Sequence, residues 1–196
     1  MRIISGLYKN RVLDSPKGLL VRPTSERLRG ALFNICQTFI EGAEFLDLFA
    51  GSGAMGLEAL SRGAQKATFL DSNREALRSI KKNVEQFQCS DKAVILSGDV
   101  FVWLEKLNKQ NFQYDIIYAD PPYDMKIEWQ GKPLSFSDCV LKIVDESHLL
   151  KKGGVLFVED SAGSHSPSHE LKTLQLKDSR RIGHSVLHQY HLGISL

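Results

Sequence analysis

From residue 44 onward the hydrophobic and polar positions alternate between short apolar runs and amphipathic stretches. Glu44-Phe45-Leu46 opens an apolar run ending at Phe49, short enough for a buried strand. From about Ala54 the spacing becomes helical and closes at Gly63, a residue type common just past a helix C-terminus. A second apolar run, Lys66 to Leu70, ends at Asp71. Ser72-Asn73-Arg74-Glu75 has the form of a capping box and opens a helix with Leu77, Ile80, Val84 and Phe87 on one face. A third strand is expected over Ala93 to Leu96, followed by Gly98-Asp99-Val100, and a fourth over Tyr114 to Ala119. A helix through Val140, Ile143 and Val144 then leads, by the turn Lys151-Lys152-Gly153-Gly154, to a fifth strand at Val155 to Glu159. Strands alternating with helices in this way predict an α/β fold with a parallel sheet and helices on both faces.

The two ends depart from that rhythm. Residues 2–13 alternate apolar and polar, with Gly6 and Asn10 as turn residues, and read as a short hairpin or extended arm. Thr24 or Ser25 is expected to cap a helix whose buried face is Leu28, Ala31, Leu32, Ile35 and Phe39. Gly30 sits inside that helix at a cost of about 1 kcal/mol against alanine. Residues 124–137 show no clean period and read as a loop over an active site. Ser161 to His169 reads as a loop, and Leu171 to Leu176 with Ser185 to Leu192 as a final hairpin. The expected organisation is one domain over 1–196, with an arm and capping helix in 1–43 and the core in 44–196.

Composition narrows the class. With 42% hydrophobic and 24% charged residues the chain matches a soluble globular protein. No apolar run approaches a membrane span, and Met1-Arg2-Ile3-Ile4-Ser5 leads into no signal-peptide core. Cys36, Cys89 and Cys139 lack metal or disulfide spacing, which suits a reducing cytosol and a cytoplasmic protein. Residues 1–30 hold seven Lys/Arg against Asp14 and Glu26, whereas the remainder holds 18 basic and 21 acidic residues. A basic arm on a mildly acidic body fits a polyanionic partner, although charge alone equally describes a solvated arm. His165/His169 and His184/His188 have spacings a metal could use. No cysteine or carboxylate completes either set, so no metal site is expected.

Two loops carry the chemistry. Gly51-x-Gly53-x-x-Gly56 leaves the first strand, and Asp71 follows Gly51 by 20 residues at the end of the second. Glycines there allow a tight turn and close approach of a ligand, and a carboxylate at that distance suits ribose hydroxyls. No Gly-Lys-Ser/Thr follows, so it is not a phosphate-binding loop. A plain strand–turn–helix corner would account for the glycines but not for the carboxylate. The second loop is Asp120-Pro121-Pro122-Tyr123, after the fourth strand. Paired prolines make a rigid turn, which leaves the flanking carboxylate and aromatic unexplained. An exocyclic nucleobase amine is a poor nucleophile because its lone pair is delocalised into the ring. Asp120 and a carbonyl of the Pro-Pro segment can accept its two N–H bonds and turn the lone pair toward an electrophile. Tyr123 offers a ring for the base to stack on, a role that needs no hydroxyl.

With those residues in view, the chain resembles the class I S-adenosylmethionine-dependent methyltransferases, and more closely the RsmD family, which methylates guanine N2 in bacterial 16S rRNA. The resemblance covers nearly the whole chain. It rests on Arg2-Ile3-Ile4-Ser5-Gly6, Arg22-Pro23-Thr24-Ser25-Glu26-Arg27-Leu28-Arg29, Ala31-Leu32-Phe33-Asn34, the Asp47 to Gly63 block and Asp120 to Tyr123. It implies a seven-stranded Rossmann-like sheet. It implies S-adenosylmethionine as cofactor, S-adenosylhomocysteine as product, and no metal. It places the cofactor on Asp47, Phe49, Ala50, Gly51, Ser52, Gly53, Asp71, Ser72, Asp99 and Val100, with Asp99 accepting from the adenine amine. Asp99 equally suits a helix N-cap. Asp120, Pro121, Pro122 and Tyr123 would be catalytic, and Arg2, Lys9, Arg11, Arg22, Thr24 and Arg27 would meet RNA. The implied partner is 16S rRNA within a small-subunit particle, met by a monomer. Gly30 departs from the family, which usually has a carboxylate there, and residues 124–137 are somewhat longer than usual.

Three other readings compete. A DNA adenine-N6 methyltransferase also uses Asp-Pro-Pro-Tyr but generally needs a target-recognition domain, for which residues 1–43 are too short. A nicotinamide-dependent dehydrogenase would leave Asp120 to Tyr123 without a role. A non-catalytic ribosome-assembly factor would have no need of intact Asp71, Asp99 and Asp120.

Overall fold

A computed structural model describes residues 1–16, 25–123, 125–129, 131–163 and 171–193. The chain forms two compact units, Met1–Val100 and Phe101–Leu196. Three parallel strands lie in the first unit and four sheet strands in the second.

In the first unit the order of elements is α1 (Glu26–Cys36), β1 (Glu44–Leu48), α2 (Ala54–Ser61), β2 (Lys66–Asp71), α3 (Arg74–Phe87) and β3 (Ala93–Ser97). The strands lie in the order β3-β2-β1, all parallel. The register pairs Leu48 with Leu70 and Asp71 with Ser97. The three carboxyl ends are therefore level, and the loops after them leave one edge. β1 and β2 are buried along nearly their whole length, as strands covered on both faces must be. β3 is half-exposed, being the last in its row.

The amino-terminal arm packs into this unit. Arg2 bridges Val12, and Gly6 and Asn10 take φ of 83° and 67°, so the turn residues are those the pattern indicated. Ile3, Tyr8 and Leu13 are buried. The arm lies on α2: Ile4 N and Ser5 N donate to the Glu58 carboxylate at 2.8 and 3.0 Å, and Tyr8 N donates to Ser61 Oγ at 2.9 Å. Leu7 N donates to Ser61 O at 2.7 Å. All eight residues of α2 are consequently buried, polar Glu58 and Ser61 included. Further along, Asp14 exchanges hydrogen bonds with Asn83 of α3 (2.7 and 2.9 Å). Arg29 of α1 closes the cluster, with Nη2 on Arg2 O at 2.6 Å and Nε 3.5 Å from Glu58 Oε2. Two helix details differ from expectation. Ser25 does cap α1, accepting from Leu28 N, but the buried face is Leu28, Arg29, Leu32, Phe33 and Cys36, while Phe39 lies beyond the helix and is exposed. At α3 the cap is Asn73, which accepts from Glu75 N and Ala76 N, so Ser72 stands one residue outside the helix entry.

The second unit contains most of α4 (Val100–Lys109), then β4 (Tyr114–Ala119), β5 (Lys126–Trp129), β6 (Lys132–Ser135), α5 (Phe136–Asp145), β7 (Leu150–Ser161), β8 (Leu174–Ile182) and β9 (Ser185–Leu192). Its strand order is β4-β7-β9-β8, parallel between β4 and β7 and antiparallel beyond. The stretch read as a loop over 124–137 is instead a β-hairpin, β5 with β6, followed directly by α5 capped by Ser135. Its alternation is short and half-buried, too weak to stand out from a loop. Gly153 takes φ 83° inside β7, so the expected turn is an irregularity within one continuous strand, where the pairing with β4 shifts register between Tyr114 and Ile116. The final hairpin is present, with its first strand running on to Ile182 and Gly183 turning at φ 66°. Asp145, near the end of α5, anchors it by accepting from Lys172, Thr173 and Leu174 N at 2.6–2.8 Å. Among the described residues no helix is long and apolar enough to cross a membrane.

Candidate active site

The first unit builds a glycine loop pinned by two carboxylates. Asp47 in β1 is buried and accepts from Gly56 N at 2.9 Å, which fixes the first turn of α2 against the strand it follows. Gly56 itself cannot be larger: a Cβ there would stand 2.3 Å from the Phe69 ring. Phe49 holds φ 59°, a left-handed conformation that costs about 1–2 kcal/mol for a residue with a Cβ. Ala50 N then bonds Leu70 O, Gly51 takes φ 55°, and Gly53 enters the helix at φ 75°. Such strain concentrates at functional loops.

Asp71 ties this loop to its neighbour. Its Oδ2 accepts from Gly51 N and its Oδ1 from Asn73 N, both at 2.8 Å. Gly98 N bonds the Asp71 carbonyl at 3.1 Å. The three loops at the carboxyl edge thus meet at one residue. The Asp71 side chain is half-exposed and carboxylate oxygens accept more than one bond each, so ribose hydroxyls can still be received. Ser52 is buried, Ser72 and Asp99 are exposed, and Val100 is buried at the first turn of α4. The ligand such a rim fits has no need of a phosphate cradle. The rim offers main-chain approach, an acceptor for hydroxyls and a further carboxylate, the partners that an adenosine with a diol requires.

The second unit holds the other loop. Ala119, the last residue of β4, pairs with Val158, so the residues that follow, Asp120 beyond β4 and Glu159 in β7, emerge side by side. Pro121 is buried and Pro122 exposed. The Tyr123 hydroxyl returns to the sheet, 3.2 Å from Asp120 Oδ1 and 3.1 Å from Glu159 Oε1. Glu159 Oε2 accepts from Tyr118 at 2.6 Å. Burial, then the charges of Asp120 and Glu159, push the Tyr123 phenol well above its ordinary pKa, so it remains a hydrogen-bond donor. Beside it, burial pushes Asp160 up to about 6, against the bond it accepts from Ser137 Oγ at 2.8 Å. The expectation that Tyr123 acts through its ring alone is therefore incomplete, because its hydroxyl is engaged by two carboxylates. Sequence reasoning passed over Glu159, Tyr118, Ser137 and Asp160. A signal existed: Glu159-Asp160 follows the apolar run Val155 to Val158 at a strand's carboxyl end, the same pattern that singled out Asp71 and Asp120.

The basic residues divide. Arg2 and Lys9 are exposed on the docked arm, and Arg27 is exposed in the first turn of α1. Arg11 is exposed too, with its guanidinium over the Phe87 ring at 4.6 Å and donating to Gln86 O at 2.6 Å. Arg22 and Thr24 lie outside the described residues, as do His165 and His169. His184 sits in the β8–β9 turn, and His188 Nδ1 lies 2.8 Å from Ser179 Oγ. Among the described residues no group of His, Cys, Asp or Glu could hold a metal ion.

Known proteins place this arrangement. The fold matches the Escherichia coli protein yhhF with a TM-score of 0.82 and 28% identity, over 100% of this chain and 99% of that one. It also matches a SAM-dependent methyltransferase from Agrobacterium tumefaciens with a TM-score of 0.62 and 18% identity, over 84% and 60%. The protein has the class I methyltransferase fold. Residues 1–191 match the family model described as "Conserved hypothetical protein 95". The chain is 32% identical over 160 residues to ribosomal RNA small subunit methyltransferase D of Haemophilus influenzae, covering 81% of this chain and 78% of that protein. It belongs to the RsmD family of methyltransferases.

Proposed function

We propose that the protein methylates the exocyclic N2 amine of a guanine in 16S rRNA, using S-adenosylmethionine, and that both units act as a single catalytic domain. The observation that carries this reading is Asp120-Pro121-Pro122-Tyr123 at the carboxyl end of β4, with its carboxylate and phenol bonded to each other. S-adenosylmethionine, when bound, supplies an electrophilic sulfonium methyl group and leaves as S-adenosylhomocysteine. Asp71 would receive the ribose hydroxyls, Asp99 the adenine amine, and the Phe49 to Gly53 loop would approach through its main chain, flanked by Asp47, Ser72 and Val100. Asp120 and a carbonyl of Pro121-Pro122 would accept the two amine N–H bonds, which directs the nitrogen lone pair. The Tyr123 ring would support the base. Catalysis is then positioning and electrostatics, with no covalent intermediate on the protein.

The names of the relatives support a small-subunit RNA substrate. The further expectations are that the RNA is met within a subunit particle in the cytoplasm by a monomer, and that Arg2, Lys9, Arg11, Arg22, Thr24 and Arg27 contact it. The test compares rRNA nucleosides by mass mapping in cells with and without this chain, followed by single-turnover methyl transfer in vitro. Loss of one N2-methylguanine is expected. Asp120→Asn should slow the chemical step by about 10²–10³-fold, because an amide replaces a preorganised charged acceptor. A wild-type rate for that variant, or an unchanged nucleoside map, removes the reading.

A further inference from the structure

Glu159 is a carboxylate in the position of a core residue, 4% exposed, and among the described residues it has no ion-pair partner. Two phenols hold it instead. Tyr118 makes a short, well-formed bond of 2.6 Å to Oε2. Tyr123 stands 3.1 Å from Oε1 and, at the same time, 3.2 Å from Asp120 Oδ1. A phenol carries one proton and can donate one full bond at a time, while its oxygen also accepts, here from the Ser185 side chain. Both Tyr123 distances are long for an O–H···O contact, as expected when a single proton faces two acceptors.

That shared proton bears on how Asp120 receives a substrate. An amine N–H arriving at Asp120 Oδ1 competes with the Tyr123 hydroxyl for the same oxygen. If the hydroxyl had nowhere else to go, amine binding would leave a buried donor unsatisfied, which is costly. Glu159 Oε1 offers the alternative acceptor without moving the ring.

Resting on the amine-methylation reading above, we propose that Glu159 is a positioning residue. It takes the whole Tyr123 proton when the amine engages Asp120, and it keeps the Tyr123 ring in place while Asp120 changes partners. Tyr118 holds Glu159 fixed from the other side. Glu159 does not touch the amine; it acts through Tyr123.

The test is a double-mutant cycle on the full chain, read as single-turnover methyl transfer to small-subunit rRNA with saturating S-adenosylmethionine. Glu159→Gln keeps the size but turns one of the two oxygens into a donor. It is expected to lower the transfer rate about tenfold, the scale of one hydrogen bond to a charged group, with cofactor affinity unchanged. Tyr123→Phe alone should show a similar loss, and adding it to Glu159→Gln should cost almost nothing more. Effects that multiply, or a Glu159→Gln loss that merely follows the fraction of folded protein in a thermal melt, would overturn the proposal. A second readout needs no substrate. The ¹³Cζ resonance of Tyr123, in tyrosine-labelled protein, should move in Glu159→Gln and also in Asp120→Asn, since each removes one acceptor. An unmoved resonance in Glu159→Gln overturns the shared proton itself. A responsive resonance in a protein that methylates no rRNA would instead upset the substrate reading and leave the Tyr123–Glu159 tether standing.

Discussion

Gly6→Ala probes how the amino-terminal arm is held. A Cβ at this position would stand 1.8 Å from Ser61 O and 2.8 Å from Ser61 Oγ. The arm would have to retreat by about 1.5 Å before that approach became tolerable. Leu7 N to Ser61 O, Tyr8 N to Ser61 Oγ and Ser61 Oγ to Ser5 O all span the same interface at 2.5–2.9 Å and would not survive it. Three hydrogen bonds at about 0.5–1.5 kcal/mol each, plus about 1–2 kcal/mol for a left-handed residue with a Cβ, amount to roughly 3–6 kcal/mol. That is a large share of the ~5–15 kcal/mol typical of a domain. At ~2–4 °C per kcal/mol for a chain of this size, Tm should fall by at least about 6 °C. The assay is thermal and urea unfolding beside Gly42→Ala, where φ is +74° but nothing lies within 4 Å of the new Cβ. Gly42→Ala should therefore lose only the backbone contribution. If Gly6→Ala melts within about 2 °C of the wild type, or no lower than Gly42→Ala, the docked arm is refuted.

Three more outcomes are expected. Asp71→Ala should weaken S-adenosylmethionine binding by about 1.5–3 kcal/mol in calorimetry, the scale of a charge-assisted bond; an unchanged affinity would take Asp71 out of the ligand site. Replacing Arg2 and Lys9 by glutamine should lower affinity for small-subunit rRNA and flatten its salt dependence by about 0.7–0.9 of a log unit for each phosphate no longer neutralised, with cofactor binding untouched. An unchanged slope would leave the arm with packing as its only role. Gly30→Ala should raise stability by about 0.5–1 kcal/mol, seen as a higher Tm, since the added methyl meets nothing within 4 Å; a lower Tm would contradict the open helix face.

The sequence by itself determined the elements whose signal is local. Glu44–Leu48 and Lys66–Asp71 are buried along nearly their whole length, so they stand out as short, mostly apolar runs, interrupted by Asp47 and Thr68. Asp71 and Asp120 were legible because a carboxylate closing such a run has little reason to be there except to face a ligand. What tertiary structure alone decided depends on partners far away in the chain. Glu58 and Ser61 look like the polar side of a helix; they are buried because the arm, more than 50 residues earlier, brings N–H groups to them. The same docking seals Arg29 beside Glu58, with its Nη2 on the arm's Arg2 carbonyl. Glu159 reads as the polar end of a strand until the register of β4 against β7 sets it next to Asp120, where it can share the proton of Tyr123. Periodicity records which way a side chain points from its own backbone. Which groups meet across the fold is set by strand register and by the surfaces that close over one another, and no window of sequence contains both sides of such a meeting.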